Sequence, residues 1–331
     1  MRLPIHAAGL ALLALVLTSP TSARPSDAAE AYLSEAIAIL KAGHINSLRV
    51  DWDELEAQAR AQIADARTPA DAHAAVTALV EALGEKHSYF LTPAMLEGEQ
   101  AAYTGGDGQP ATPPVPVARE LDGGIGYVQV PMLNMRRGGE EYATRYREAL
   151  TTGLQGMDAH ARCGWIVDLR SNSGGNMWPM LWGLDPLLGD APFGYFITRT
   201  NEIAWARTRE GIMGAPEIDP AVPPAFDLAH ADRPLALLMD GHTTSSGEMV
   251  ALGLIGRPGV RTFGQPTGGY TTANTTERLS DGALLVVTVS KVADRTKQAA
   301  DGPIAPDESV PAAQAEAAAQ RWLMTQCESA G

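Results

Sequence analysis

Short apolar runs that end in small polar turns place the strongest constraint on how this chain folds. Residues 165–169 and 235–239 are two such runs, as expected for strands buried on both faces of a sheet. Helix-like segments at residues 140–157 and 247–255 alternate with them. This alternation predicts an α/β fold with a mostly parallel sheet, in which ligands bind beyond the carboxyl ends of the strands. Two further strands and a last helix are expected at residues 125–131, 284–289 and 312–326.

Helical periodicity dominates the region before this predicted core. Leu33, Ile37 and Leu40 repeat at helical spacing, and Thr68-Pro69 is a helix start signal, a capping residue followed by proline. We therefore expect a helical bundle at residues 27–95, followed by a Gly- and Pro-rich linker at residues 96–122. The core is expected at residues 123–331, and residues 185–232 within it, which have no clean periodicity, are expected to form a cap.

The first 23 residues have the pattern of a secretory signal peptide. Arg2 precedes an apolar run at residues 7–17, and Thr21-Ser22-Ala23 offers small residues for cleavage. The run is too short to cross the ~30 Å hydrocarbon core of a bilayer, and a buried N-terminal helix is the alternative interpretation. We therefore expect a periplasmic or secreted protein without stable membrane insertion.

Charge and cysteine content narrow the partners of the chain. There are 25 Lys and Arg against 39 Asp and Glu, and the net charge of −14 disfavours nucleic acid and anionic membranes as partners. No CxxC or HExxH spacing occurs, so no metal and no other cofactor is expected. Cys163 and Cys327 either form a disulfide, which an oxidising compartment permits, or remain two buried thiols.

Two of the predicted strands end in residues that can do chemistry. After the first strand, residues 171–176 form a Gly-rich turn, which either points backbone N–H groups at developing negative charge or is only a tight structural turn. After the second strand, residues 243–246 place four hydroxyl side chains at the start of an apolar helix. One of them is either a nucleophile favoured by the helix dipole or an ordinary helix cap.

A serine nucleophile needs a base, and two histidines are candidates. His87 follows the last helix of the predicted bundle in the run GEKHSYFL, and this loop position leaves it free to reach the core. His242 lies three residues before Ser245 and is the rival candidate.

Five motifs occur in this order along the chain: LGEKHSYFLTP, GGIGYVQVPML, WIVDLRSNSGGNM, TTSSGEMV and GQPTGGYTTAN. Together they resemble the motifs of the C-terminal-processing (tail-specific) serine protease family. The resemblance implies a crotonase-like core, with Ser245 as the nucleophile and His87 as the general base. It places the oxyanion hole at backbone N–H groups of Gly174 or Gly175 and of Ser246. Substrate contacts are expected from four residues on these turns: Asn172, Met177, Thr267 and Tyr270.

The surroundings of the base depart from two branches of that family. Where lysine is the base, it lies in a turn after the nucleophile, and here Tyr270 stands at its position. A tyrosine with a pKa near 10 is a poor base at neutral pH, so the resemblance is to the branch that uses histidine. Some relatives add a Ser before the His and a Glu elsewhere. Here Lys86 precedes His87, and Asp301 is the candidate for orienting it.

These observations predict a secreted serine endopeptidase that cleaves extended peptides or exposed C-terminal tails. Ser245 attacks the peptide carbonyl while His87 moves the proton, and the expected partner is a peptide or protein substrate. The alternative is a non-catalytic protein on the same fold that binds a hydrophobic ligand or a peptide, which an incomplete relay would fit. Acyl-CoA chemistry is disfavoured, because a secreted chain meets little CoA. The oligomeric state stays open.

Overall fold

The computed structural model describes residues 24–102, 112–135, 138–189, 192–208, 211–214 and 226–329. The expected signal peptide, residues 1–23, and residues 215–225 of the expected cap lie outside these ranges. Within the described ranges, no helix combines the length and apolarity needed to cross a membrane.

The N-terminal region contains the expected helices. The bundle consists of three α-helices and two 3₁₀ turns: α1 (Asp27–Gly43), Ser47–Arg49, α2 (Trp52–Gln62), Pro69–Ala72 and α3 (His73–Ala82). The side chain of Ser26 accepts a hydrogen bond from Ala29 N and starts α1, while Thr68 and Asp71 form a capping box before α3. The apolar faces of the helices pack on one another and on Leu285 and Val287, so the bundle is docked onto a sheet of the core.

A six-stranded, mostly parallel sheet forms the centre of the core, as predicted. Its order is β12-β9-β8-β4-β3-β2, and only the β2–β3 pair is antiparallel. The strands are β2 (Val117–Leu121), β3 (Ile125–Gln129), β4 (Gly164–Asp168), β8 (Leu235–Met239), β9 (Val260–Gly264) and β12 (Glu308–Ser309). Every residue of β4 and β8 is buried, which explains their apolar runs.

Helices cover both faces of this sheet. The helices are α4 (Pro93–Ala102), α5 (Gly139–Met157), α6 (Met177–Gly183), α7 (Asp185–Leu188), α8 (Ser246–Leu254) and α9 (Ala312–Ser329). Alternate side chains of β4 and β8 pack against α5, α6 and α8 on one face and against α9 on the other. Both α8 and the turn that precedes α6 begin at carboxyl ends of central strands, where the fold class places ligands.

A second, antiparallel sheet corrects two sequence expectations, and a third correction concerns the linker. Its strands are β1 (Tyr89–Leu91), β5 (Gly194–Ile197), β6 (Glu202–Thr208), β7 (Gly211–Met213), β10 (Thr272–Arg278) and β11 (Leu284–Asp294). The apolar run at residues 284–289 was expected in the parallel sheet, but it belongs to β11 of the antiparallel sheet. Its side chains are apolar because the helical bundle covers them, and this burial produces the same sequence pattern as burial inside a parallel sheet. The segment 185–232, expected as an irregular cap, extends this sheet with β5 to β7. The expected linker, residues 96–122, holds the end of α4 and all of β2.

A disulfide joins the last helix to the central sheet. Cys163 directly precedes β4, Cys327 lies on α9, and their Cα atoms are 4.9 Å apart. Of the two alternatives that the sequence left open, the structure has the disulfide.

Replacing both cysteines by serine is expected to lower the free energy of unfolding by about 2–5 kcal/mol, because the bond closes a loop of 164 residues and restricts the unfolded chain. Urea unfolding with and without a reductant measures this. The reductant should destabilise the wild type to the level of the double variant and leave the double variant unchanged. Equal stability of all samples would show that the bond contributes nothing.

Candidate active site

The candidate nucleophile lies on a sharp turn between β8 and α8. Ser245 has φ 53° and ψ −122°, a backbone conformation that residues other than glycine rarely adopt and that is typical of a strained strand-to-helix turn. A Cβ on Gly247 would lie 2.6 Å from Asn172 O, so the start of α8 needs a glycine to approach the neighbouring turn. The turn thereby exposes Ser245 to a cavity at the helix N-terminus.

A fully buried carboxylate holds this turn in place. The oxygens of Glu248 accept hydrogen bonds from Ser245 N at 2.9 Å, Tyr270 N at 2.6 Å, Gly269 N at 2.7 Å and the Thr267 hydroxyl at 2.5 Å. Four donors from two loops therefore converge on one side chain, which fixes the nucleophile relative to residues 267–270. Sequence analysis missed Glu248, because a glutamate three residues after a serine at a helix start also fits an ordinary capping box.

Two backbone N–H groups beside Ser245 are free to bind an oxyanion. The N–H groups of Gly175 and Ser246 have no hydrogen-bond acceptor among the described residues, and the Ser246 hydroxyl donates to Gly175 O at 2.5 Å, which brings the two residues together. The N–H of Gly174 is already engaged by Asn172 Oδ1 at 2.9 Å. Of the three expected oxyanion residues, Gly174 therefore acts through its small size instead, since a Cβ there would lie 2.8 Å from Ser245 Cβ.

The candidate base lies in the same cavity as Ser245. His87 and Ser245 both line a space of about 430 Å³, and no hydrogen bond joins their side chains within the described part of the chain. His87 is buried, and its Nδ1 lies 2.9 Å from Thr272 Oγ1. When Nδ1–H donates to that hydroxyl, Nε2 carries no proton and is the basic nitrogen. The side chain of His242, the rival candidate, is exposed and is not among the residues that line this cavity.

Asp301 does not have the orienting role expected from the sequence. Its carboxylate is 84% exposed and forms an ion pair with Lys291 Nζ at 3.0 Å. Thr272, on β10, is the residue that bonds to the imidazole. Nothing in the sequence distinguishes this threonine from its neighbours, since hydroxyl residues are common in half-buried strands.

Charged groups around His87 act in opposite directions. Burial lowers the pKa of His87 below its ordinary value, and the ammonium of Lys86 lowers it further, while the carboxylate of Glu85 and the bond to Thr272 oppose them. Lys86 Nζ donates to Gly268 O at 3.0 Å and lies 4.4 Å from the centre of the Tyr270 ring. That ring meets the imidazole edge-on at 5.3 Å. Tyr270 therefore separates the lysine from the histidine, and the lowered pKa of His87 favours its neutral form at pH 7.

Two of the four expected substrate-binding residues belong to the frame of the site. Asn172 is fully buried and donates to Val130 O at 2.9 Å, and Thr267 is buried between Glu248 and Ile304 N. Such short polar side chains satisfy backbone groups just beyond a buried strand. Met177 and Tyr270, in contrast, line the cavities beside Ser245.

The cleft has two chemically different halves that meet at Ser245. The half with His87 has a mixed, more polar lining: His87, Met132, Ser173, Thr244 and Tyr270. The other half, of about 470 Å³, has a mostly apolar lining: Met135, Met177, Trp178, Phe196 and Met249. In this apolar half, Trp178 packs edge-on against Phe196 and Trp205, so its ring is held in a fixed orientation.

Comparison with known proteins assigns the family. Residues 124–310 of this chain match the sequence pattern of peptidase family S41. The chain belongs to peptidase family S41. A nisin-resistance protein of Lactococcus lactis subsp. lactis is 31% identical over 208 residues, and this match spans 62% of each of the two chains. The resemblance drawn from the five sequence motifs is thereby confirmed, and peptides or proteins are the substrates of such a family.

Two solved structures share the fold of this chain. A lipoprotein from Streptococcus agalactiae superimposes with a TM-score of 0.74 at 24% identity, covering 95% of this chain and 100% of that one. The photosystem II D1 C-terminal processing protease gives a TM-score of 0.60 at 16% identity, covering 87% of this chain and 94% of that one. These likenesses confirm the mixed α/β fold with a helical N-terminal region.

Proposed function

We propose that this protein is an extracytoplasmic serine endopeptidase with Ser245 as nucleophile and His87 as general base. The observation that carries the proposal is the meeting, in one cleft, of a strained Ser245, two free N–H groups and a histidine whose lowered pKa favours the neutral form. Membership of a peptidase family supports the reaction class. A signal-like N-terminus, the disulfide and the likeness to a nisin-resistance protein support the location.

Each proposed step uses a group whose position is described above. His87 Nε2 accepts the proton of the Ser245 hydroxyl as Oγ bonds to the peptide carbonyl carbon, and the oxyanion receives hydrogen bonds from Gly175 N and Ser246 N. The imidazolium then gives its proton to the leaving amine as the C–N bond breaks. Water, deprotonated by His87, hydrolyses the acyl-enzyme and regenerates Ser245.

The position of the base assigns the two halves of the cleft. Because His87 must protonate the leaving amine, the segment after the scissile bond occupies the half that His87 lines. The residue before the scissile bond then lies in the apolar half, against Met177 and Trp178. The proposed substrate is therefore an extended peptide with a large apolar residue directly before the cleaved bond. Its form in nature is an exposed tail or a free peptide.

Cleavage of a defined peptide mixture, followed by mass spectrometry, tests this function. The wild type should produce new termini, and Ser245→Ala should produce none under the same conditions. Ser245→Ala is the matched control because it removes one oxygen atom and keeps the fold. A binding protein, the alternative drawn from the sequence, would retain peptides in both forms and cleave none.

Replacing Trp178 by alanine is expected to change which bonds are cut. The loss of the indole removes a large aromatic surface from the wall of the apolar half, so kcat/KM for substrates with Leu, Met or Phe before the scissile bond should fall about 10–100-fold. Cleavage profiles from the same peptide mixture measure this, with thermal unfolding as the control for folding. A reduced profile with unchanged preferences would show that another part of the cleft selects this residue.

A further inference from the structure

Glu85 lies where the helical bundle meets the loop that carries His87. Its two oxygens accept hydrogen bonds from His87 N at 2.8 Å and from Ser88 N at 2.5 Å, so one carboxylate holds both peptide groups that flank the imidazole-bearing residue. The side chain is only 16% exposed. Although burial raises its pKa, the nearby imidazole of His44 and the hydrogen bonds from Ser88 and His87 N lower the pKa of Glu85 to about 2. Glu85 therefore carries a full negative charge throughout the working range of the enzyme.

The bundle contributes a buried histidine to this carboxylate. His44 follows the last turn of α1 and has no solvent exposure. Its Nδ1 accepts a hydrogen bond from Asn46 N at 3.0 Å, which places the ring proton of the neutral form on Nε2. Nε2 lies 3.5 Å from Glu85 Oε1 and has no closer partner among the described residues. The N–H of His44 thus faces Oε1 of Glu85, whereas His87 N donates to Oε2.

The bond between His87 and Thr272 leaves one requirement of the mechanism unmet. When His87 takes the proton from Ser245, it becomes an imidazolium, and a neutral hydroxyl on Nδ1 fixes the tautomer without balancing that charge. The ionisable groups around the imidazole are Lys86 and Glu85 from its own loop and Tyr270 from the facing turn, with Glu248 and His44 behind them. Of the groups that contact the His87 residue itself, Glu85 is the one with a negative charge.

We propose that Glu85, which the N–H of His44 faces at 3.5 Å, is a positioning residue that fixes the His87 loop and supports the imidazolium across the backbone. The role that one aspartate performs in a Ser-His-Asp triad is then divided, since Thr272 orients the ring and Glu85 supplies the charge. The helical bundle takes part in catalysis through His44. This inference rests on the proposed function, in which His87 is the base.

The acid limb of the pH profile of kcat/KM tests the inference, because it reports protonation of His87 in the free enzyme. Glu85→Gln removes the negative charge, so the imidazolium loses support, the pKa of His87 falls and the limb should move to lower pH by about one unit. The plateau of kcat should fall about tenfold. Lys86→Gln removes the opposing positive charge and should move the limb to higher pH. A residue with a structural role alone would lower thermal stability and leave the limb in place.

Two further variants make every outcome decisive. Glu85→Asp keeps the charge on a shorter side chain, so its limb should coincide with that of the wild type while the kcat plateau falls, and this decides the matter if Glu85→Gln does not fold. The role proposed for Glu85 would be overturned by a folded Glu85→Gln whose acid limb of kcat/KM coincides with that of the wild type. It would also be overturned by a Glu85→Asp whose kcat plateau equals that of the wild type. Either result would leave the proposed histidine base in place. A wild-type limb that persists in His87→Ala would overturn the histidine base and this inference with it.

Discussion

Replacing Ser245 by alanine should lower kcat by about 10⁴–10⁶-fold, the largest effect expected of any substitution in this protein. The hydroxyl oxygen forms the bond to the carbonyl carbon, and the hydroxyl of the adjacent Ser246 is already engaged, since it donates to Gly175 O. The free energy of unfolding should fall by no more than about 1–2 kcal/mol, the usual cost of removing a capping hydroxyl, because the Ser245 side chain takes part in the capping box with Glu248 at the start of α8. Initial rates on a quenched fluorescent peptide and a thermal unfolding scan measure the two quantities.

Companion variants show whether the histidine acts with this serine. His87→Ala should lose nearly as much activity as Ser245→Ala, and the double variant should be no worse, because members of one relay act as a unit. Tyr270→Phe is the matched control, since it keeps the ring that lies against His87 and removes only the hydroxyl. A Tyr270→Phe enzyme as inactive as Ser245→Ala, together with a fully active His87→Ala, would contradict the histidine base.

Replacing Glu248 by glutamine should lower both stability and activity although the side chain never contacts the substrate. The amide nitrogen of glutamine would face N–H donors, so at least one buried hydrogen bond to a charged group is lost and one donor is left unpaired. We expect the free energy of unfolding to fall by about 2–4 kcal/mol. The kcat should fall at least about 100-fold, because the Ser245 turn and residues 267–270 lose their common anchor.

A second carboxylate provides the control for Glu248. Asp307 accepts hydrogen bonds from the backbone N and the hydroxyl of Thr262, each at 2.9 Å, away from the residues that line the cleft. Asp307→Asn should therefore lower stability slightly and leave kcat unchanged. Urea unfolding and initial rates compare the two variants. Equal kcat in Glu248→Gln and the wild type would show that Glu248 stabilises the fold without positioning the nucleophile.

Sequence predicted the parts of the molecule that have local signals. The runs in β4 and β8 are apolar because both faces of those strands are buried, and the small residues after them are needed where turns approach each other closely. Those two features were enough to place residues 171–176 and 243–246 at one edge of the sheet, and the family resemblance then singled out Ser245, Ser246 and Gly174 or Gly175 among them. Burial does not reveal which sheet a strand joins, so β11 was assigned to the wrong one.

The parts that sequence missed depend on pairings between distant segments. The sequence does not distinguish the N–H group of Gly174 from that of Gly175. The structure does, because Gly174 N donates a hydrogen bond to Asn172 Oδ1. Thr272 lies 185 residues from His87, and Glu85 is recognised only by the backbone groups that it holds. Asp301 was chosen because carboxylates often orient histidines, yet its loop turns it to the solvent, where Lys291 neutralises it.

Labelling with a fluorophosphonate probe is the most direct test of the Ser245–His87 dyad, because the reaction needs an activated serine and no knowledge of the substrate. We expect one adduct on Ser245, located by peptide mass spectrometry, with a rate about 100-fold or more lower in His87→Ala and no adduct in Ser245→Ala. An adduct on another residue, or a His87→Ala protein that reacts at the wild-type rate, would contradict the proposed dyad.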